Sequence, residues 1–148
     1  TENSDRLEQL AQVLWQHDLC CYTLNTFPYG DFHSERVKEQ VYLPDWASRE
    51  RIIYTEQCAA ILGQLLPKGG EGSLSTVPLG GRMNPRDGDF HAVCFSHLIR
   101  LAKFLHQLFE TTGRRIRKPS FLLHAGSHGR MDFARVRAIV YSGGSTGM

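Results

Sequence analysis

Most of the side chains able to do chemistry sit in two stretches, each following a strand-like run. The first runs from Asn25 through Phe27-Pro-Tyr-Gly-Asp-Phe-His33 and a charged segment to Tyr42-Leu-Pro-Asp-Trp46. His33 is its candidate base or metal ligand, since imidazole changes charge near neutral pH. Asp31, His33 and Glu35 are spaced two apart, so on an extended segment they share a face and could converge on a cation. They could equally form a wet face of the loop. Asn25, at the end of the first strand, and Ser75 and Thr76, near the end of the second, could hydrogen-bond a polyol. Tyr29 and Trp46 join them as substrate-binding candidates, and the alternative for the rings is that they cap the core. Lys38, Arg36 and Arg82 could hold a phosphate or carboxylate, with solvated surface charge as the other reading.

Positioning these residues requires elements that the hydrophobic pattern supplies. Leu7, Leu10, Ala11 and Leu14, widened by Val13, recur at helical spacing and predict a helix over 4–17, capped by Ser4 or Asn3. Residues 19–24 are nearly all apolar and predict a strand covered on both faces. Ser48 caps a second helix running to about Leu66, stopped by Pro67-Lys-Gly-Gly. Residues 71–77 predict a second strand, and 78–89 a second loop. A third helix spans Phe90 to Thr112, with a broad face from Val93 to Phe109 that includes His97, a core histidine; His91 and His106 lie on the same helix. Gly113 ends it, and 119–124 reads as a third strand. Strands alternating with helices of this length mean βαβ units and a parallel sheet. Ligands in such folds bind at the carboxyl ends of the strands, so loops 25–47 and 78–89 should share one rim.

Composition narrows the class. The chain has 148 residues, 41% hydrophobic and 22% charged, enough for one domain with a real core. No apolar run approaches the length of about 20 residues that crosses a bilayer, and no leader-like segment opens the sequence. Cys20, Cys21, Cys58 and Cys94 lack metal or redox spacing and read as buried thiols of a reducing, cytoplasmic protein. The net charge of +2 conceals an asymmetry: residues 1–112 carry −4 and residues 113–148 carry +6. A basic end can mark nucleic-acid contact, but stacking aromatics are not interleaved with its cations. A solvated tail is the stronger reading, with nucleic acid an unlikely partner. His124 and His128 flank Ala-Gly-Ser in this tail. The closing Ser142-Gly-Gly-Ser-Thr-Gly147 follows a strand-like 136–141.

The segments Tyr22-Thr-Leu-Asn25, Phe27-Pro-Tyr-Gly30, Phe32-His33, Arg36-Val-Lys-Glu39, Pro44-Asp-Trp46 and Gly72-Ser-Leu-Ser-Thr-Val-Pro-Leu-Gly80 resemble the EboE-type metabolite traffic proteins of the xylose isomerase-like TIM-barrel superfamily. The resemblance covers residues 4–117. It implies a partial (β/α)8 barrel, three to four parallel strands with crossover helices, in which Asn25, Ser75 and Thr76 line the mouth. A full barrel needs about 250 residues. The family continues with an acidic segment in the part of the barrel that commonly supplies divalent-metal carboxylates; here Lys118-Pro-Ser-Phe-Leu-Leu-His124 stands instead, so those metal ligands are missing and the cofactor is undefined. A gene truncated or frameshifted near residue 117 would give this pattern.

The expectation is therefore a partial xylose isomerase-like barrel over 1–117 followed by a basic, divergent tail over 118–148. It binds a small sugar or sugar-phosphate-like metabolite and resembles an isomerase or epimerase, without being catalytically competent alone. The alternative is a module that completes its sheet by self-association or by binding a partner chain, because open sheet edges and uncovered apolar surface invite pairing.

Overall fold

The computed structural model describes residues 2–27, 29, 42–79, 88–121 and 140–142. Among these residues three helices and five short strands follow in the order α1 (Glu2–Gln16), β1 (Leu19–Cys21), β2 (Thr23–Asn25), α2 (Arg49–Leu65), β3 (Glu71–Thr76), α3 (Phe90–Thr112), β4 (Arg115–Phe121) and β5 (Val140–Ser142). β2, β3 and β4 form a parallel sheet in chain order, with Asn25 opposite Ser75 and Ser73 opposite Arg117. Among the described residues each parallel step is bridged by a helix, α2 and then α3, so this is an α/β fold of βαβ units.

The expected strand over 19–24 is interrupted at Tyr22. Its first half, β1, pairs antiparallel with β5, and its second half belongs to the parallel sheet. The third parallel strand starts at Arg115 rather than at residue 119, because Ile116 supplies a buried side chain for the helix-covered face. The boundary expected after residue 117 consequently falls inside β4. α1 begins at Glu2, so neither Ser4 nor Asn3 stands before it as a cap.

The core lies between the sheet and α2 and α3. Leu74 and Val77 from β3 and its end, Ile52, Ala59, Leu62 and Leu66 from α2 and its C-cap, and Cys94 and Leu101 from α3 are all fully buried. Burying each large aliphatic chain contributes roughly 1.5–3 kcal/mol. Gly72 is required on this face: a Cβ there would stand 2.9 Å from the Tyr22 carbonyl and 3.0 Å from Leu66. Gly113 closes α3 with φ 65°, a left-handed conformation that glycine adopts without strain.

The burial on both faces expected for residues 19–24 does not hold: Cys21 is buried, Leu19, Cys20, Thr23 and Leu24 are half-buried, and Tyr22 is exposed. In β3, Gly72, Leu74 and Thr76 are buried whereas Glu71 is exposed and Ser73 and Ser75 are half-buried. The strand alternates, with one side under the helices and the other polar. The broad face expected on α3 is also only partly covered. Phe90, Cys94, Leu101 and Leu105 are buried, but Val93 is partly exposed and the neighbouring Phe95 and Ile99 stand out in solvent. α3 packs on α2 along one flank, and no described element packs on the other.

Candidate functional site

Parallel pairing sets residues opposite one another on the same face, and on the side away from the helices it aligns small polar side chains across two strands. Ser75 Oγ donates to Asn25 Oδ1 at 2.7 Å, and Ser73 Oγ donates to Thr23 Oγ1 at 3.2 Å. Below them, at the amino ends of β3 and β4, Arg117 donates through Nε and Nη2 to Glu71 Oε2 at 3.0 and 2.6 Å. Arg115 lies 3.7 Å from the other Glu71 oxygen. The Arg117 hydrogen bond and charge, helped by Arg115, hold the Glu71 carboxyl below its usual range. The face thus runs from an ion pair at one end to an Asn–Ser pair at the other, with hydroxyls between.

Asn25 terminates β2 and its Oδ1 also accepts the Phe27 amide at 3.0 Å. Both acceptor lone pairs are thereby engaged, which fixes the amide's orientation and leaves its NH2 turned to the exposed side. Ser75, in turn, is a donor held by that carbonyl and keeps lone pairs as acceptors. Together the two offer a donor and an acceptor side by side, a pattern that suits vicinal hydroxyls or a carbonyl.

The described ends of the two expected loops lie together. Thr26 donates to the Ser75 carbonyl through both its amide, at 3.0 Å, and its hydroxyl, at 2.5 Å. At the far end of the first loop, the Trp46 amide donates to Leu79 O at 3.3 Å and its indole N–H to Val77 O at 3.1 Å. His97 Nδ1 lies 2.8 Å from the Trp46 carbonyl, which can only accept, so the imidazole is the donor; His97 is half-buried and hydrogen-bonded rather than part of the core. Trp46 is fully buried; it staples the first loop to the second and to α3 from beneath the rim.

Arg51 performs the corresponding task at the base of the first loop, and sequence reasoning passed over it. It is fully buried on α2. Its Nε donates to Pro44 O at 2.7 Å, beyond the cis Leu43–Pro44 bond, and its Nη1 donates to Thr26 O at 2.9 Å. A single guanidinium therefore ties the start of the loop to its finish. Tyr29 and Tyr54 meet edge to face at 5.2 Å, with the Arg51 guanidinium carbon 5.6 and 5.8 Å from their ring centres. Nη2 has no hydrogen-bond partner. Burial lowers the Arg51 pKa, with the neighbouring tyrosines opposing the shift. Burial, followed by Cys58, pushes the Tyr54 phenol up to about 12.

Of the residues named from sequence, Asn25 and Ser75 come together. Tyr29 is partly exposed beside Arg51. Thr76 is buried on the helix side, its hydroxyl without a partner, so it and Ser75 point to opposite faces. Trp46 is buried as described. His33, Lys38 and Arg82, with Asp31, Glu35 and Arg36, lie outside the described residues. Thr23, Ser73 and Thr26 were missed, although the two-residue spacing of Ser73 and Ser75 is a legible signal. For Arg51 the signal was its position four before Thr55 on the buried side of α2. Ser48 takes the N-cap position of α2, but its hydroxyl makes no capping bond and is buried without a partner. Among the described residues no group of three or more His, Cys, Asp or Glu is placed to hold a metal, and the four cysteines are free thiols. No described helix is long and apolar enough to cross a membrane.

Comparison with protein-family models, with curated proteins and with solved structures finds no match to this chain.

Proposed function

We propose that the chain is a partial xylose isomerase-like barrel that binds a small, hydroxyl-rich metabolite, a sugar or a sugar phosphate, on the polar face of its parallel sheet. One observation carries the reading. The face that a closed barrel would turn inward bears Thr23, Asn25, Ser73 and Ser75, two pairs of which are hydrogen-bonded to each other. A barrel interior that is simply packed uses bulky branched side chains in layers. Short hydroxyl side chains leave room and supply donors and acceptors, which is the need of a polyol site. The consecutive parallel order β2-β3-β4, with a described helix in each crossover, supports the barrel reading, as does the contact between the described ends of the two loops.

Asn25 and Ser75 bind hydroxyls, and Arg51 and Trp46 hold the loop around them. No general base is among the described members of this group, so the reading assigns recognition and not turnover. An isomerase- or epimerase-like activity would require groups from outside it.

Thermal-shift and calorimetric titration against a panel of aldoses, ketoses, polyols and their phosphates tests this. The wild-type chain should be stabilised by at least one member, and Asn25→Leu should abolish that stabilisation while leaving the helical circular dichroism unchanged. Absence of binding across the panel, or binding that survives Asn25→Leu and Ser75→Val together, overturns it.

A further inference from the structure

Phe95, Ile99, Ala102, His106 and Phe109 recur at alternating spacings of four and three along α3. At 1.5 Å per residue they make one stripe about 21 Å long. Phe95 is 56% and Ile99 58% exposed. The lower half of the stripe opens into a groove of about 650 Å³ shared with Ile116 of β4. The Arg115 guanidinium closes its rim, 4.5 Å above the Phe109 ring. α3 meets α2 on its other flank, where Arg100 grips Glu56 at 2.6 and 2.8 Å. The stripe is therefore the flank on which a further helix of the same layer would rest.

The opposite end of the layer offers such a helix. α1 leaves Leu10, Val13 and Trp15 about half exposed although Ala11 beside them is buried. The two ends also carry opposite charge. Residues 1–18 contain Glu2, Asp5, Glu8 and Asp18 against Arg6 alone, and residues 113–118 contain Arg114, Arg115, Arg117 and Lys118 with no acid. One Glu71 carboxylate serves both Arg115 and Arg117, so a positive charge is left over at the groove. Apolar surface on both ends and complementary charge suit a head-to-tail contact, in which different patches of identical chains meet.

We infer that α1 of one copy seats in the α3–β4 groove of a second copy of this chain. Two such contacts close a dimer, and each chain contributes one α1 and one groove. This inference is independent of the ligand-binding reading: a monomer that binds sugar would overturn the one and support the other. β4 itself is poorly suited to strand addition, since Arg115 and Arg117 stand exposed along it and charged side chains protect an edge.

Sedimentation equilibrium of the full chain, wild type and with Ile99→Glu or Val13→Glu, tests it. Wild type should be a dimer. Each variant alone should associate about thirtyfold more weakly or worse for each of the two contacts, since its homodimer loses one central apolar anchor in both. An equimolar mixture of the two variants should recover a mixed dimer, because the intact α1 of Ile99→Glu finds the intact groove of Val13→Glu. Association should also weaken as salt is raised. Monomeric wild type overturns the inference. So does loss of the dimer with Ile99→Glu but not Val13→Glu, which would mean that two α3 flanks face each other. So does failure of the mixture to associate when both variants keep the wild-type helical signal. Should either variant unfold, Arg115→Glu and Glu8→Arg replace them, both on exposed side chains, with the same mixing outcome required.

Discussion

Adjacent residues on β3 live in different solvents. Leu74 is fully buried under the helices, and Ser75, one position on, looks away from them and shares its hydrogen with Asn25. Gly72 and Ser73 divide in the same way. A parallel strand covered on both faces reads as a continuous apolar run, and β3 is instead an alternation. What the contrast teaches is a division of labour at a period of two residues: one side of the sheet carries the stability, and the other is free to carry polar groups chosen for something else.

The sharpest way to break that comparison is to truncate both sides. Leu74→Ala should cost about 3–5 kcal/mol, since a fully buried leucine leaves a cavity that its neighbours fill only partly. Ser75→Ala should cost no more than about 1 kcal/mol, one partly solvated hydrogen bond. Urea denaturation of both variants decides it. Equal losses would mean that the polar face is structural after all.

A second test asks whether the rim above the polar face is held from the buried side. Arg51→Met should destabilise by about 2–4 kcal/mol, because the buried Thr26 carbonyl and the part-buried Pro44 carbonyl lose their donor. It should also weaken any ligand that depends on Asn25. Arg51→Lys should rescue only part, because an ammonium lacks the fork that reaches both ends of the loop at once. Full rescue by lysine, measured by chemical denaturation, would show that charge alone suffices.

The smallest effect is expected at high pH. Tyr54 ionises near 12 in the fold against about 10 when exposed. The folded state binds this proton more tightly, so its contribution is fully present below pH 10 and is lost as pH rises through 12. Tyr54→Phe should flatten the stability profile in that window, and the late tyrosinate absorbance step should vanish from the ultraviolet titration.

Much of the fold could be read from the letters. Helical spacing located α2 and α3 to within a residue or two, and Gly113 marked the end of α3. What could not be read were features created by partners distant in the chain. The break at Tyr22 depends on β5, and the exposure of Phe95 and Ile99 depends on which flank of α3 meets α2. At the site, Asn25 and Ser75 were legible as strand ends. Thr76 was chosen beside Ser75 although neighbouring strand residues point apart. Arg51 escaped notice because a cation within an apolar stripe reads as surface until the carbonyls it serves are seen.

The pairing of Leu19 with Ser142 has a temporal consequence. Its two halves are more than a hundred residues apart, so all the residues between them must leave the ribosome before β1 receives its neighbour. At equilibrium the penalty is modest, about 0.6 kcal/mol for each doubling of the loop that is closed. In time it is not, since contacts this remote form slowly. The nascent chain must therefore carry the bare edge of β1 while the intervening residues are being made.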